Sequence, residues 1–166
     1  MGLMSFIKEA GEKLFGKGEA KAAQDTAAAA PTPENIAALE QKAADAIVTY
    51  IDTQGLSVAA LNISFDAHSS TVTAAGSVPD QATKEKLLLC CGNVQGVAAV
   101  NDMVVVEAPA PEAQYHAVVS GDNLSKIAKK FYGDANKYPV IFEANKPMLS
   151  HPDKIYPGQM LRIPPL

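Results

Sequence analysis

The sequence predicts an α+β protein of two small domains, αββαβ followed by βααβ, with a short N-terminal helix in front. Three observations carry that expectation. Apolar residues recur at helical spacing through Ile36, Leu39, Ala43, Ile47, Tyr50 and Ile51. They then alternate with polar residues at Leu61, Ile63 and Phe65, the pattern of a half-buried strand. Two Ala/Pro-rich stretches, 16–33 and 108–113, divide the 166 residues and read as linkers.

Residues 1–15 place Leu3, Phe6, Ile7, Ala10 and Leu14 on one helical face. The polar face balances Lys8 and Lys13 against Glu9 and Glu12 and lacks the basic excess of a membrane-surface anchor. Docking on the neighbouring domain is therefore expected. The middle domain, 34–107, opens with a helix capped by Thr32, with Pro33 at its first position and Gly55 past its end. The strand at Leu61–Phe65 leads through a turn at 66–70 to a second strand that carries Val72 and Ala74 and closes at Gly76. Asp80 caps a second helix, on which Leu87, Cys91 and Val94 share a face. Gly92 and Gly96 interrupt the chain before Val97–Val106, which is apolar on both sides and so expected at the sheet centre. In the last domain, 114–166, Asp122 is expected to cap a helix whose Leu124, Ile127, Ala128 and Phe131 face the core. Gly133 ends that helix, and Gly158 supports the turn into the final strand.

Composition excludes several functions. Hydrophobic residues make up 48% of the chain, but no apolar run is long enough for a spanning helix, and no membrane partner is expected. A formal charge of −4 argues against nucleic acid, whose phosphates need a basic face. The charge is unevenly spread: residues 1–113 hold seven Lys against fourteen Asp and Glu, while 114–166 hold seven Lys and Arg against four acids. The two halves are thus expected to attract, and an intramolecular contact between the domains follows. His68, His116 and His151 lie far apart, outside any metal-ligand spacing, and no nucleophile motif or phosphate-cradling glycine loop occurs. Cys90 and Cys91 are adjacent and read as packing residues. The chain is not expected to be an enzyme. Met1–Ile7 is interrupted at once by Lys8 and Glu9, so no secretory signal is read and a cytoplasmic location is expected.

Beyond these physical patterns, the spacing of Ile63, Val72, Gly76, the Lys84–Leu89 helix, Gly96-Val97 and Val100-Asn101 resembles the BON domain, an αββαβ module. The last domain resembles LysM, a βααβ module. The resemblance rests on Val118-Val119-Ser120-Gly121-Asp122-Asn123-Leu124, Ile127-Ala128, Phe131-Tyr132-Gly133, Ile141–Asn145 and Ile155-Tyr156-Pro157-Gly158-Gln159. Asn123 departs from the family's usual Thr but keeps a polar side chain. In this order, with Lys8–Leu14, Gly92-Asn93-Val94 and Phe142–Leu149 also matching, the chain resembles the bacterial potassium-binding protein family, soluble proteins of one BON and one LysM domain.

That resemblance implies binding of one K⁺ and a more compact form once it is bound. K⁺ is large and singly charged, and neutral carbonyl oxygens suit it better than dense carboxylates. A helix ending at glycine offers such oxygens, since its last carbonyls lack intrahelical partners. Turn chemistry and resemblance together assign the cage to main-chain oxygens of Ile7, Ala10, Gly92, Val94 and Val97. Asp66, Asp80 and Asp102 suit a divalent ion better but do not cluster in sequence. The alternative is an envelope protein that holds peptidoglycan or another N-acetylglucosamine polymer. By resemblance to LysM its groove would comprise Gly121, Asp122, Asn123, Leu124, Ile141 and Asn145. A single module makes such binding weak.

Overall fold

The computed structural model describes residues 33–94 and 97–166. The expected N-terminal helix, most of the first linker, the Thr32 cap and Gly96 lie outside the described residues.

The first half is built as αββαβ. Helix α1 (Pro33–Thr53) buries Ile36, Ala43, Ala44, Ile47 and Ile51, with Leu39 and Tyr50 half-buried beside them. Strand β1 (Ala59–Asp66) pairs antiparallel with β2 (Thr71–Asp80). Helix α2 (Gln81–Gly92) crosses over to β3 (Ala99–Ala108), which lies parallel to β2. Both helices cover one face of the sheet, where Ile63, Phe65, Val72, Ala74, Val78, Val100 and Val104 meet Leu87 and Cys91. Asp80 caps α2 as expected, its Oδ1 accepting from the Thr83 N–H at 2.7 Å.

Two expectations about the sheet are corrected. The strand order is β1-β2-β3, so β3 is an edge and β2 the centre. The outer-face residues Met103 and Val105 are 60% and 64% exposed; valine-rich composition reflects strand preference here rather than two-sided burial. β2 also runs four residues past Gly76. At Gly76 φ is +146°, opposite an irregularity in β1 between Ala59 and Asn62, and a Cβ there would lie 3.0 Å from the Ala59 carbonyl oxygen. Glycine accommodates the close approach without ending the strand.

The open edge of β3 is occupied at its middle by its own side chains. The Val104 N–H donates to Asp102 Oδ1 at 2.9 Å, and Lys84 Nζ donates to the Val104 carbonyl at 3.0 Å. Lys84 and Asp102 also pair with each other at 2.8 Å.

The second half is βααβ: β4 (Gln114–Ala117), α3 (Leu124–Tyr132), a 3₁₀ turn (Ala135–Lys137), α4 (Tyr138–Ala144) and β5 (Met160–Ile163). β4 and β5 form an antiparallel pair. Val118, Leu124, Ile127, Ala128, Ile141, Leu149, Leu161 and Ile163 make its core. Gly133 ends α3 in the left-handed conformation at φ +75°, as expected. The helix cap is Asn123 rather than Asp122: Asn123 Oδ1 accepts from the Lys126 N–H at 2.8 Å. Either residue type can cap, and Asp122 is drawn instead to His116.

All four residues of β5 are buried, because its two faces serve different cores. Leu161 and Ile163 face the second core, whereas Met160 belongs to the first. Arg162, on the same face as Met160, donates from Nε to Glu85 Oε2 of α2. The other oxygen, Glu85 Oε1, accepts from Gln81 Nε2 at 3.0 Å and from the Ala113 N–H at 2.8 Å. Glu85 is 1% exposed and Arg162 8%. Replacing Arg162 by Ala leaves that carboxylate buried without its cation and should cost about 3–5 kcal/mol. Equilibrium denaturant unfolding measures the loss, and an Arg162→Met, Glu85→Leu double replacement should recover most of it.

Candidate functional site

The turn after α2 is shaped by its last helical residues. Gly92 closes the helix, and Asn93 caps it, its N–H donating to the Leu89 carbonyl at 2.9 Å. The Val97 N–H donates to the Val94 carbonyl at 3.1 Å, drawing both ends of the turn together. A carbonyl oxygen has two lone pairs, so Val94 retains acceptor capacity. Gly92, Asn93, Val94 and Val97 are all buried. Three of the five expected ligands, Gly92, Val94 and Val97, therefore sit on one buried turn. Ile7 and Ala10 lie outside the described residues.

Asn93 is the residue of this turn that sequence reasoning passed over. Its Oδ1 accepts from the Met160 N–H at 3.1 Å, and its Nδ2 faces the Met160 carbonyl at 3.3 Å and Met148 Sδ at 3.5 Å. Its place between two candidate ligands was visible in the sequence, but a partner 67 residues away was not.

Acidic groups are engaged elsewhere. Asp80 is a helix cap and Asp102 pairs with Lys84. Asp66 comes within 4.8 Å of ligand atoms of Glu40 and His68, a grouping that sequence distance hid. Glu40 Oε1 accepts the Ala67 N–H at 2.8 Å, while Asp66 Oδ1 accepts those of His68 and Ser69 at 2.8 and 3.2 Å. The Ser69 bond leads in holding the Asp66 carboxyl below the usual range. These contacts build the β1–β2 turn. Cys90 and Cys91 are free and buried, and desolvation pushes the Cys90 thiol up to about 12, so neither is a nucleophile at neutral pH.

The expected sugar groove divides into two sets. Gly121 and Asn123 are exposed and Asp122 half-buried. Leu124 and Ile141 point into the core. Asn145 is 1% exposed: its Nδ2 donates to the Ile141 and Arg162 carbonyls at 2.7 and 2.8 Å, and its Oδ1 accepts the Arg162 N–H at 2.8 Å. It fastens α4 to β5, so Leu124, Ile141 and Asn145 have only backbone groups to offer a sugar. A cleft of about 360 Å³ on this half is lined by Met148, Leu149, Ser150, Lys154, Ile155, Tyr156 and Gln159 rather than by 121–124. Among the described residues, no helix is long and apolar enough to cross a membrane.

A family model for the LysM domain matches residues 116–164, which are the βααβ unit. Over 99% of both chains, the sequence is 42% identical to the potassium binding protein Kbp of Escherichia coli O6:H1. Shorter likenesses cover about a third of the chain. An uncharacterized protein of Deinococcus radiodurans is 51% identical over 49 residues, 30% of this chain and 19% of that one. An esterase of Mycobacterium tuberculosis is 43% identical over 53 residues, 32% of this chain and 11% of that one. The likeness that spans the whole chain is to a binding protein, and the esterase match is confined to a fragment; this chain is not an enzyme.

The Asp122 carboxylate ties loop 118–123 to β4. It accepts from the Val119 N–H at 3.1 Å and lies 2.8 Å from His116 Nε2, whose ring meets Phe131 edge-on at 5.6 Å. The His116 hydrogen bond leads in holding the Asp122 carboxyl below the usual range. A carboxyl so lowered stabilises the fold above the unfolded value of about 4, and the contribution is lost as pH falls through the folded value. Asp122→Asn should therefore cost about 1.5–3 kcal/mol at pH 7 and progressively less below pH 4. Thermal melts of both proteins at pH 7 and pH 3 check the sign.

Proposed function

The chain belongs to the family of the Escherichia coli potassium binding protein Kbp, and from that premise we propose that it is a K⁺ sensor or buffer of the cytoplasm that becomes more compact on binding the ion. The 42% identity over 99% of the chain carries this reading. The buried turn of Gly92, Val94 and Val97 supports it physically. Main-chain oxygens there, joined by those of Ile7 and Ala10, would replace the hydration shell of a monovalent cation. The acids Asp66, Asp80 and Asp102, which would favour a divalent ion, are engaged in turns, a cap and an ion pair. Buried free thiols suit a reducing compartment.

The proposed compaction has a natural seat. The αββαβ half, read as a BON domain, meets the LysM half through Glu85–Arg162, Asn93–Met160 and the apolar contact of Met160 and Met148. K⁺ favours the closed arrangement only to the extent that it binds that state more tightly.

The LysM match to 116–164 supports a second reading, binding of peptidoglycan or a related N-acetylglucosamine polymer through the exposed loop at Gly121–Asn123. One module, with Leu124, Ile141 and Asn145 turned inward, makes that binding weak.

Melting the dialysed protein in KCl and in NaCl at equal ionic strength tests the first reading. At 100 times its dissociation constant, a ligand of the folded state should add about 2.7 kcal/mol and raise Tm in KCl alone. Superimposed curves would sink the K⁺ reading and turn attention to chitin oligomers. Removal of residues 2–15 should abolish the K⁺ effect while far-ultraviolet circular dichroism stays native, because Ile7 and Ala10 go with the segment.

A further inference from the structure

The reading above leaves open how an ion held at the end of α2 is felt by the LysM half. We propose that Asn93 couples the two, so that K⁺ bound by the Gly92–Val97 turn tightens the grip of its side chain on Met160 of β5. The inference rests on the K⁺ reading and adds the residue through which it acts.

Asn93 is 1% exposed and is engaged at both ends. On the main chain, its N–H belongs to the same peptide plane as the Gly92 carbonyl and is bonded to the Leu89 carbonyl at 2.9 Å. An ion that draws on the Gly92 oxygen acts on that plane directly. On the other side, the Val94 carbonyl accepts from the Val97 N–H at 3.1 Å, which ties Val94 to Val97. The Asn93 side chain has two rotatable bonds and is itself buried, leaving little slack between the turn and the atoms it holds. Those atoms are the N–H and carbonyl of Met160, at 3.1 and 3.3 Å.

Met160 is well placed to receive the signal. Its side chain is packed into the first core although its strand belongs to the second sheet. Two residues further on, Arg162 meets Glu85 of α2, about two turns before Gly92. Met148, which Asn93 Nδ2 approaches at 3.5 Å, packs against the same core from the loop after α4. A cavity of about 10 Å³ at this seam is lined by residues of both halves, including Gln54, Cys90, Asn145 and Met148. Packed elements of this kind transmit displacement rather than absorb it.

Linkage makes the proposal quantitative. If ion binding strengthens docking, docking strengthens ion binding by the same factor. Loss of the Asn93 side chain should therefore weaken K⁺ binding although no ligand atom is removed, since the proposed ligands are main-chain oxygens. Coupling between sites is commonly about 5- to 150-fold. Titration calorimetry of the full chain with KCl, against NaCl at matched ionic strength, should show Asn93→Ala binding K⁺ at least about fivefold more weakly. X-ray scattering of the variant should lose the K⁺-dependent contraction. Unchanged affinity in a folded Asn93→Ala protein would overturn the coupling, whether or not contraction persists.

A second measurement needs no variant. In the unmodified chain, K⁺ should slow hydrogen exchange at the Met160 amide, which donates to Asn93 Oδ1. Exchange at Met160 that is equal in KCl and NaCl, in a protein that binds K⁺ by calorimetry, would also overturn the proposal. Absence of any K⁺ heat in the unmodified chain is a different failure, that of the K⁺ reading itself.

Discussion

The arrangement of the two halves depends on one buried carboxylate. Glu85 sits in α2 with almost no exposure and spends both oxygens, one on Arg162 and the other on Gln81 and the Ala113 N–H. Burying an ion pair is expensive, because both charges leave water, and the pair is tolerated only when further hydrogen bonds satisfy the remaining lone pairs. Here they do. The pair adds little net stability over an apolar contact of the same shape, yet it penalises every arrangement in which Glu85 stays buried without Arg162. Its partners lie on β5 and on the linker between the halves, so one side chain sets both the docking and the path of the chain between domains.

That constraint explains the unusual burial of β5. A two-stranded ribbon ordinarily has one wet face, and alternation along β5 would put Met160 and Arg162 into solvent. Docking on α2 covers them. Met160 finishes the first core, Leu161 and Ile163 finish the second, and Asn145 bonds both the N–H and the carbonyl of Arg162. The strand is shared in the sense that its two faces answer to different domains. The net negative charge before residue 114 and net positive charge after it agree with this geometry, and among the described residues Glu85 and Arg162 are the charged pair that joins the halves.

The order and type of the elements were legible because periodicity is local. Ile36 to Ile51 wrote a helix, Leu61 to Phe65 a strand, and Asp80 and Gly133 marked helix ends, all within a few residues. What failed depended on more distant partners. β3 looked central because valine suits any strand, and only its pairing with β2 alone makes it an edge. Asp122 and Asn123 are both good caps, and the choice turns on His116 drawing one of them away. Glu85, flanked by Lys84 and Lys86, carries no local sign of burial, and its partner Arg162 lies 77 residues on. Of the candidate ion site, the glycine at the end of α2 was readable, while the cross-domain hold of Asn93 required the fold.

The edge of β3 has a further consequence. Its outer face carries Met103 and Val105, and strands with apolar side chains and open main-chain groups are the usual seeds of strand-to-strand aggregation. A strand arriving from another molecule, however, meets Val104 with its N–H already given to Asp102 and the Lys84 ammonium lying against its carbonyl. The Lys84–Asp102 pair thus works as a stopper, interrupting the ladder at its midpoint and placing charge where an intruder would need hydrogen bonds. The molecule keeps a valine-rich strand at its margin without offering it as a template.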